Sequence, residues 1–249
     1  MASHKESPSE IRFDFRIDFP YNDCPVSQLI GEDVVTARQQ TKRRAPARSE
    51  SERQAKLQTI LDAALDIFLE KGFADARLDD VAARAGVAKG TLYLYVSSKQ
   101  ALFEALVRSG IGGPVGLIEQ KIPDPELSAE EQLRALFLFL RTEILGTRRR
   151  EIVRLLLMEA SRFPELAEVY HREVIARGLR ILRGIAERGV ARGEFRSDEI
   201  VRFPQLAIAP GLVALLWTSL FQRFDPIDIE AMLEAHLTLL MKALKGHPS

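Results

Sequence analysis

The chain has 249 residues, 46% hydrophobic and 28% charged, with 35 Lys+Arg balanced by 35 Asp+Glu. That composition predicts an ordinary soluble protein, not a disordered or membrane one, and suits one large or two small domains with a sizeable core. One cysteine, Cys24, excludes an internal disulfide framework, and an opening (MASHKESPSE) without an apolar run predicts no secretory leader and a cytoplasmic location.

Overall neutrality hides an uneven distribution. Residues 1–37 carry three Lys/Arg and seven Asp/Glu, residues 38–110 thirteen and nine, and residues 111–249 nineteen of each. Between Arg38 and Lys56 seven basic residues face only Glu50 and Glu52. A local basic arm can meet a polyanion while the whole chain stays neutral.

Residues 11–19 (IRFDFRIDF) alternate apolar and charged, the period of a strand, yet no partner strand is visible elsewhere. Docking on the rest, pairing with a copy of itself, or a non-native start of the reading frame all remain open. Residues 1–48 read as a flexible extension that ends in the basic arm.

From Ser49 onward the pattern is helical. Ser49 and Glu52 form a capping box, Leu57, Ile60, Leu61, Ala64, Leu65 and Phe68 a single apolar stripe, and Gly72 a stop. A second helix is expected from Leu78 to Ala85, ending at Gly86, and a third from Ala88 to Val96. Ser97 and Gln100 predict a capped fourth helix. The run GIGGPVG (Gly110 to Gly116), then Pro123 and Pro125, is the clearest break and places a domain boundary there, dividing 49–110 from 111–249. Further helices follow: a fifth capped by Ser128 and Glu131 to Leu145, a sixth from Arg149 to Ser161, and a seventh from Pro164 to Val190. An eighth lies within Asp198 to Gln222, bent at Pro204 or Pro210, and a ninth runs from Asp225 to Gly246. The expectation is an all-α protein of about nine helices.

Helices two and three around Gly86 make a helix-turn-helix. The N-terminal part of its second helix enters a DNA major groove. Those positions are Lys89, Gly90 and Thr91, followed by Tyr93. Lys89 can donate to guanine or to a phosphate, Thr91 and Tyr93 can donate or accept, and Gly90 admits a phosphate close to the backbone. Lys99, a cation in the first turn of a helix, opposes the helix dipole. It is either a phosphate grip or an exposed lysine on the solvent side. With Leu92 and Val96 filling the core, Tyr93 and Tyr95 are expected to point outward. Arg43, Arg44 and Arg48 are candidates for an arm in the adjacent minor groove, or for a tail with only nonspecific attraction.

The segment Ile60 to Leu106, with AGVAKGTLYLYVSSK (Ala85 to Lys99), Phe68 and Gly72–Phe73, resembles the DNA-binding domain of TetR-family (TetR/AcrR) transcriptional regulators. The close resemblance covers about one fifth of the chain. It implies that Lys89, Gly90, Thr91 and Tyr93 contact bases or nearby backbone while Tyr95 and Lys99 hold phosphates. The family usually has Thr or Ser where this chain has Ala76 and Arg77, which leaves Arg77 to take a phosphate and Asp75 to supply part of the cap. Leu94 stands where a polar or aromatic residue is common and is placed to touch a thymine methyl.

The resemblance also implies a helical regulatory domain that dimerises through its last two long helices and binds an inducer between helices. Phe203 to Phe221 contains no charge. Nineteen such residues are long enough to span a bilayer, but Pro204, Gln205, Pro210, Thr218 and Ser219 interrupt the run, and a dimer bundle is the preferred reading over a membrane. Ala207, Gly211 and Ala214 would allow close helix approach, with Leu215 and Trp217 beside them and Met232, His236 and Leu240 as the matching stripe. Candidate ligand contacts are Phe137, Leu155, Met158, Phe163, Tyr170, His171 and Trp217, with Leu138, Ile175, Glu159 and Arg141 conceivable; each also suits plain core. Arg148 to Arg150 read as a solvated helix start.

The four histidines are scattered, and there is no H-E-x-x-H, phosphate-binding glycine loop or G-x-S-x-G. No catalytic residue, metal site or cofactor is expected. The expected partners are double-stranded DNA, a second copy of the chain and an unknown small-molecule effector. The competing reading is a helical ligand-binding or protein-interaction module that no longer reads DNA.

Overall fold

The computed structural model describes residues 46–122 and 124–246. The alternating segment at 11–19, Cys24, Arg43 and Arg44 lie outside them. The chain divides after Gln54, and apart from the first turns of α1 the helices below belong to the unit Ala55–Ser249.

Twelve α-helices follow in order: α1 Pro46–Asp75, α2 Leu78–Arg84, α3 Lys89–Tyr93, α4 Lys99–Val107, α5 Gly113–Lys121, α6 Ala129–Phe139, α7 Arg149–Glu159, α8 Pro164–Tyr170, α9 Ala176–Ala191, α10 Glu199–Arg202, α11 Gln205–Leu220 and α12 Ile229–Lys245. π turns at Arg108–Gly112 and His171–Ile175 fuse α4 with α5 and α8 with α9, and a third, Leu140–Leu145, prolongs α6. The described residues thus form ten rods and no strand, an all-α fold close to the nine helices expected.

The first three helices and α4 share a core. The predicted stripe of α1 is buried at Ile60, Leu61, Ala64, Leu65 and Phe68, and it meets Val81, Leu92 and Leu102. The Phe68, Phe73 and Phe103 rings lie 5.4–6.5 Å apart, tilted or edge to face, the arrangement that aromatic quadrupoles favour.

Several expected boundaries move, each for a local reason. α1 runs back past Ser49 to Pro46, because nothing in ARSESERQA stops a helix and proline suits its first position. α4 is capped by Ser98, whose Oγ accepts from Ala101 N at 3.0 Å, one residue later than Ser97. The Ser128–Glu131 box forms as expected, through Glu131 N to Ser128 Oγ at 3.2 Å and Ser128 N to Glu131 Oε2 at 2.8 Å. The expected eighth helix is two, α10 and α11, parted at Phe203 and Pro204, while Pro210 lies inside α11. Asp228, not Asp225, caps α12 by accepting from Ala231 N.

The glycines at 110–116 do not break the chain. Lys99–Lys121 is one 23-residue helical rod. A Cβ on Gly110 would lie 2.5 Å from Ile152 Cδ1, and one on Gly116 2.5 Å from Arg177 Nη2. These glycines let α7 and α9 approach closely. The rod is long and apolar enough to cross a bilayer, but 56% of its apolar window is buried inside the protein, as in a core helix. α11, at 16 residues, is shorter than a span requires.

Candidate nucleic-acid interface

Gly86 joins α2 to α3 at φ +65°, a conformation that only glycine adopts without strain. Val87 N donates to Ala82 O at 3.0 Å and the Val87 side chain packs against the core, which sets the angle of α3. Leu92 and Val96 then anchor α3 from below, both buried.

With that side fixed, the opposite side of α3 is open. Lys89 and Gly90 are exposed, Thr91 is half-buried, and Tyr93 and Leu94 are 46% and 76% exposed. A Cβ added to Gly90 would meet nothing within 4 Å, so the space above it belongs to solvent or to a ligand. Tyr95 is half-buried against the core rather than outward. The reason is that α3 stops at Tyr93 and closes with tighter bonds, Leu94 N to Thr91 O and Tyr95 N to Leu92 O, which turn Tyr95 under the helix.

Lys89 is held by Asp79 of α2 at 2.8 Å, with both side chains 60% exposed. The hydrogen bond to Asp79 and its charge raise the lysine's pKa above the ordinary value, so the ammonium stays fully charged at neutral pH. Asp79 was not singled out by the sequence. An acidic residue in the first turn of α2 reads as a helix-dipole partner, and its contact lies ten residues away.

Arg77 stands exposed at the N-cap of α2 in extended conformation. The expected cap from Asp75 is not made: α2 begins without a side-chain cap, and Ala76 is buried in the core. The backbone of Arg48 lies in α1.

Lys99 is not free on the surface. Its Nζ donates to Ala74 O at 2.7 Å and lies 4.8 Å from the Phe73 ring centroid. The cation that opposes the start of α4 therefore satisfies the end of α1.

A second joint ties this domain to the helices behind it. Glu159, at the end of α7, is 6% exposed and its Oε1 accepts from Phe73 N at 3.2 Å. Phe163 packs edge-on against the same Phe73 at 5.0 Å. Beside it, Glu104, Arg108, Arg172 and Glu173 form an ion-pair network between the α4 rod and the π turn His171–Ile175. Two expected ligand residues, Glu159 and Phe163, are thus engaged in holding the domains together.

The other expected ligand contacts do not converge. Phe137 is buried and stacked on His236 at 5.9 Å, Leu155 and Tyr170 are buried, and Met158 and His171 are exposed. The Trp217 Nε1 donates to Asp225 O at 2.7 Å. A cavity of about 500 Å³ is lined instead by Arg141, Leu145, Arg150, Arg154, Leu215 and Ile229 among others; of the expected residues it uses Arg141 and, from the dimer set, Ala214 and Leu215. Arg148 and Arg149 are not simply solvated: Arg148 pairs with Asp66 and Arg149 with Glu143.

The expected dimer residues are also redistributed. Ala207, Gly211 and Ala214 are buried within the protomer, where a Cβ on Gly211 would lie 2.9 Å from Leu140 Cδ2. Leu215 and Leu240 pack against the core, and Met232 and His236 are half-buried. The uncovered apolar face of α11 is Leu206, Val213, Leu216 and Leu220, 39–55% exposed, with Phe203 just before the helix at 52% and Leu239 of α12 at 65%. The small residues bring α11 close to its own bundle, and the large ones remain outside.

A glycine-hinged helix pair with a cationic and aromatic outer side, seated on a separate helical bundle, defines a helix-turn-helix DNA-binding regulator. Residues 60–106 match bacterial regulatory proteins of the tetR family, and residues 122–236 match the tetracyclin repressor-like C-terminal domain. The chain belongs to the TetR family. It is 26% identical over 193 residues to the fatty acid metabolism regulator protein of Bacillus subtilis, covering 78% of this chain and 97% of the relative. Its fold is similar to that of the transcriptional regulator FadR from Bacillus subtilis in complex with stearoyl-CoA, with TM-score 0.58 and 24% identity over 75% of this chain and 98% of the other. It is also similar to the flavonoid-responsive regulator FrrA, with TM-score 0.52 and 28% identity over 76% and 96%.

Proposed function

We propose that the protein is a repressor that binds a near-palindromic operator as a homodimer and releases it when an acyl thioester occupies the C-terminal bundle. The observation that carries the DNA half is the outer side of α3, where Lys89, Gly90, Tyr93 and Leu94 stand clear of a core that Leu92 and Val96 fill. Thr91 and Tyr93 offer hydroxyls to base edges, Leu94 an apolar contact for a thymine methyl, and Lys89 a charge for guanine or phosphate. Arg77 and the two remaining donors of the Lys99 ammonium suit backbone phosphates, and the basic sequence around Arg43, Arg44 and Arg48 would add charge for the neighbouring groove.

Dimerisation follows from the uncovered face of α11 with Leu239, because a row of large apolar side chains exposed along one helix is stabilised by meeting its copy. Two reading helices about 34–36 Å apart would then enter successive major grooves. A fatty acyl effector is supported by the fatty acid metabolism regulator among the relatives, and an anionic head by the arginines on the cavity. Such a protein works where DNA is, in the cytoplasm.

Mobility shift across a salt series tests this. Selective binding to an operator over random DNA that persists as salt rises, lost on adding stearoyl-CoA and lost in Tyr93→Ala, is expected. Equal, salt-sensitive binding to all DNA would support instead the interaction module, in which Asp79 neutralises Lys89 permanently.

A further inference from the structure

The cavity among the π turn Leu140–Leu145, α7, α11 and α12 combines a basic rim with apolar walls. About 500 Å³ lies within the roughly 300–1,000 Å³ typical of small-molecule sites. Leu145, Leu215 and Ile229 supply the walls. Arg141, Arg150 and Arg154 supply the rim, against Glu151 and Glu230.

These charges are not evenly matched. Arg141 is paired with Glu230 across to α12. Arg150 and Arg154 share one carboxylate, Glu151, at 3.4 and 3.1 Å. Arg150 also lies 3.4 Å from Leu145 O, a long contact. A guanidinium carries five N–H donors, so one shared carboxylate leaves most of ten unoccupied by it. At i and i+4 the two arginines stand on one face of α7, 48% and 43% exposed, within reach of an incoming ligand.

We infer that Arg150 and Arg154 form the docking site for the anionic oxygens, phosphate or carboxylate, of an effector whose apolar body enters this cavity. The assignment rests on the effector-responsive reading above and gives it a location. It also gives it a route. α7 bears Arg150 in its first turn, Arg154 at its middle and, as its last residue, Glu159, whose carboxylate holds Phe73 N of the DNA-binding domain. Arg154 and Glu159 are five residues apart, roughly 7.5 Å along the helix. A ligand that pulls the arginine end of α7 acts on the helix that anchors the reader. An uncharged planar effector would use the walls but leave the guanidiniums as they are.

Calorimetric titration of the full chain with stearoyl-CoA, with coenzyme A alone and with stearate tests the site, and the fluorescence of Trp217, the chain's single tryptophan and the neighbour of the cavity-lining Thr218, gives a second readout. Arg150→Ala combined with Arg154→Ala is expected to weaken binding by about tenfold to a hundredfold, as for losing a hydrogen bond to a charged group. Thr218→Phe, which fills the cavity without removing a charge, is expected to weaken it too, and Arg134→Ala, whose partner Glu130 lies outside the cavity, leaves it unchanged. Loss of coenzyme A binding in the double variant identifies phosphate as the anion, and loss of stearate binding identifies carboxylate; either supports the site. Wild-type affinity in both the double variant and Thr218→Phe would overturn the site and leave the effector reading standing. No binding of any probe by the wild type would overturn both.

Discussion

At the residue scale, Lys89 already has a partner in Asp79. On the proposed reading it would engage DNA only by exchanging Asp79 for a phosphate or a guanine edge. Asp79→Asn is therefore expected to tighten DNA binding, by up to about fivefold for an exposed pair, whereas Lys89→Ala weakens it and lowers the salt slope by about one. A mobility-shift salt series on both variants reads the two effects, and a looser Asp79→Asn complex would contradict the competition. His236 is a second residue-scale probe. Burial depresses its pKa below the ordinary imidazole value, and its Nε2 has no hydrogen-bond partner. Below that ordinary value the unfolded chain takes up a proton that the folded chain resists, so His236 costs stability as pH falls from about 6.5 through the lowered pKa and nothing above it. His236→Phe should shrink the drop in melting temperature between pH 7.5 and 5; an unchanged drop would contradict this.

The exposure of Lys89, Gly90 and Tyr93 was legible in the sequence because they share a helix turn with Leu92 and Val96, which are unmistakably apolar and buried. Asp79 and Glu159 were not, because their partners are ten and 86 residues away and no local pattern announces them.

At the element scale, helix ends make the tertiary links. Lys99 finishes α1 within the DNA-binding domain, and Glu159 at the end of α7 reaches across to hold the amide that follows Gly72. Gly72 has φ +74°, and a Cβ there would lie 2.9 Å from Glu159 Oε1, so the carboxylate and the turn are fitted to each other. Glu159→Ala leaves the Phe73 amide without its partner. It is expected to lower stability by about 1–3 kcal/mol in denaturant unfolding and to reduce the effect of effector on DNA binding. Full stability with unchanged effector response would remove Glu159 from the route. Helices with clear start signals, the capping box of α6 at Ser128 and the first-turn proline of the α8–α9 rod at Pro164, were legible nearly to the residue. The glycine run at 110–116 reads as a helix break yet lies inside a helix, since a glycine that breaks a chain and one that admits a neighbouring helix look alike until Ile152 and Arg177 are seen against them.

At the scale of the whole molecule, the apolar run Phe203 to Phe221 was legible as helical, as it is from Gln205 to Leu220, but not which of its sides turns inward. Gly211 meets Leu140, so the small side is spent within the protomer and the large side faces out. Leu216→Glu with Leu220→Glu is therefore expected to give a monomer by sedimentation that loses operator binding while retaining its helical content. A dimer in that variant would place the interface elsewhere.

The most direct measurement is selection of duplexes by the purified full chain from a random pool. The account predicts enrichment of a near-palindrome whose half-sites lie about one helical turn, ~34–36 Å, apart, and no such enrichment by Lys89→Ala with Tyr93→Ala. A pool that stays random, or a sequence enriched equally by that variant, would contradict it.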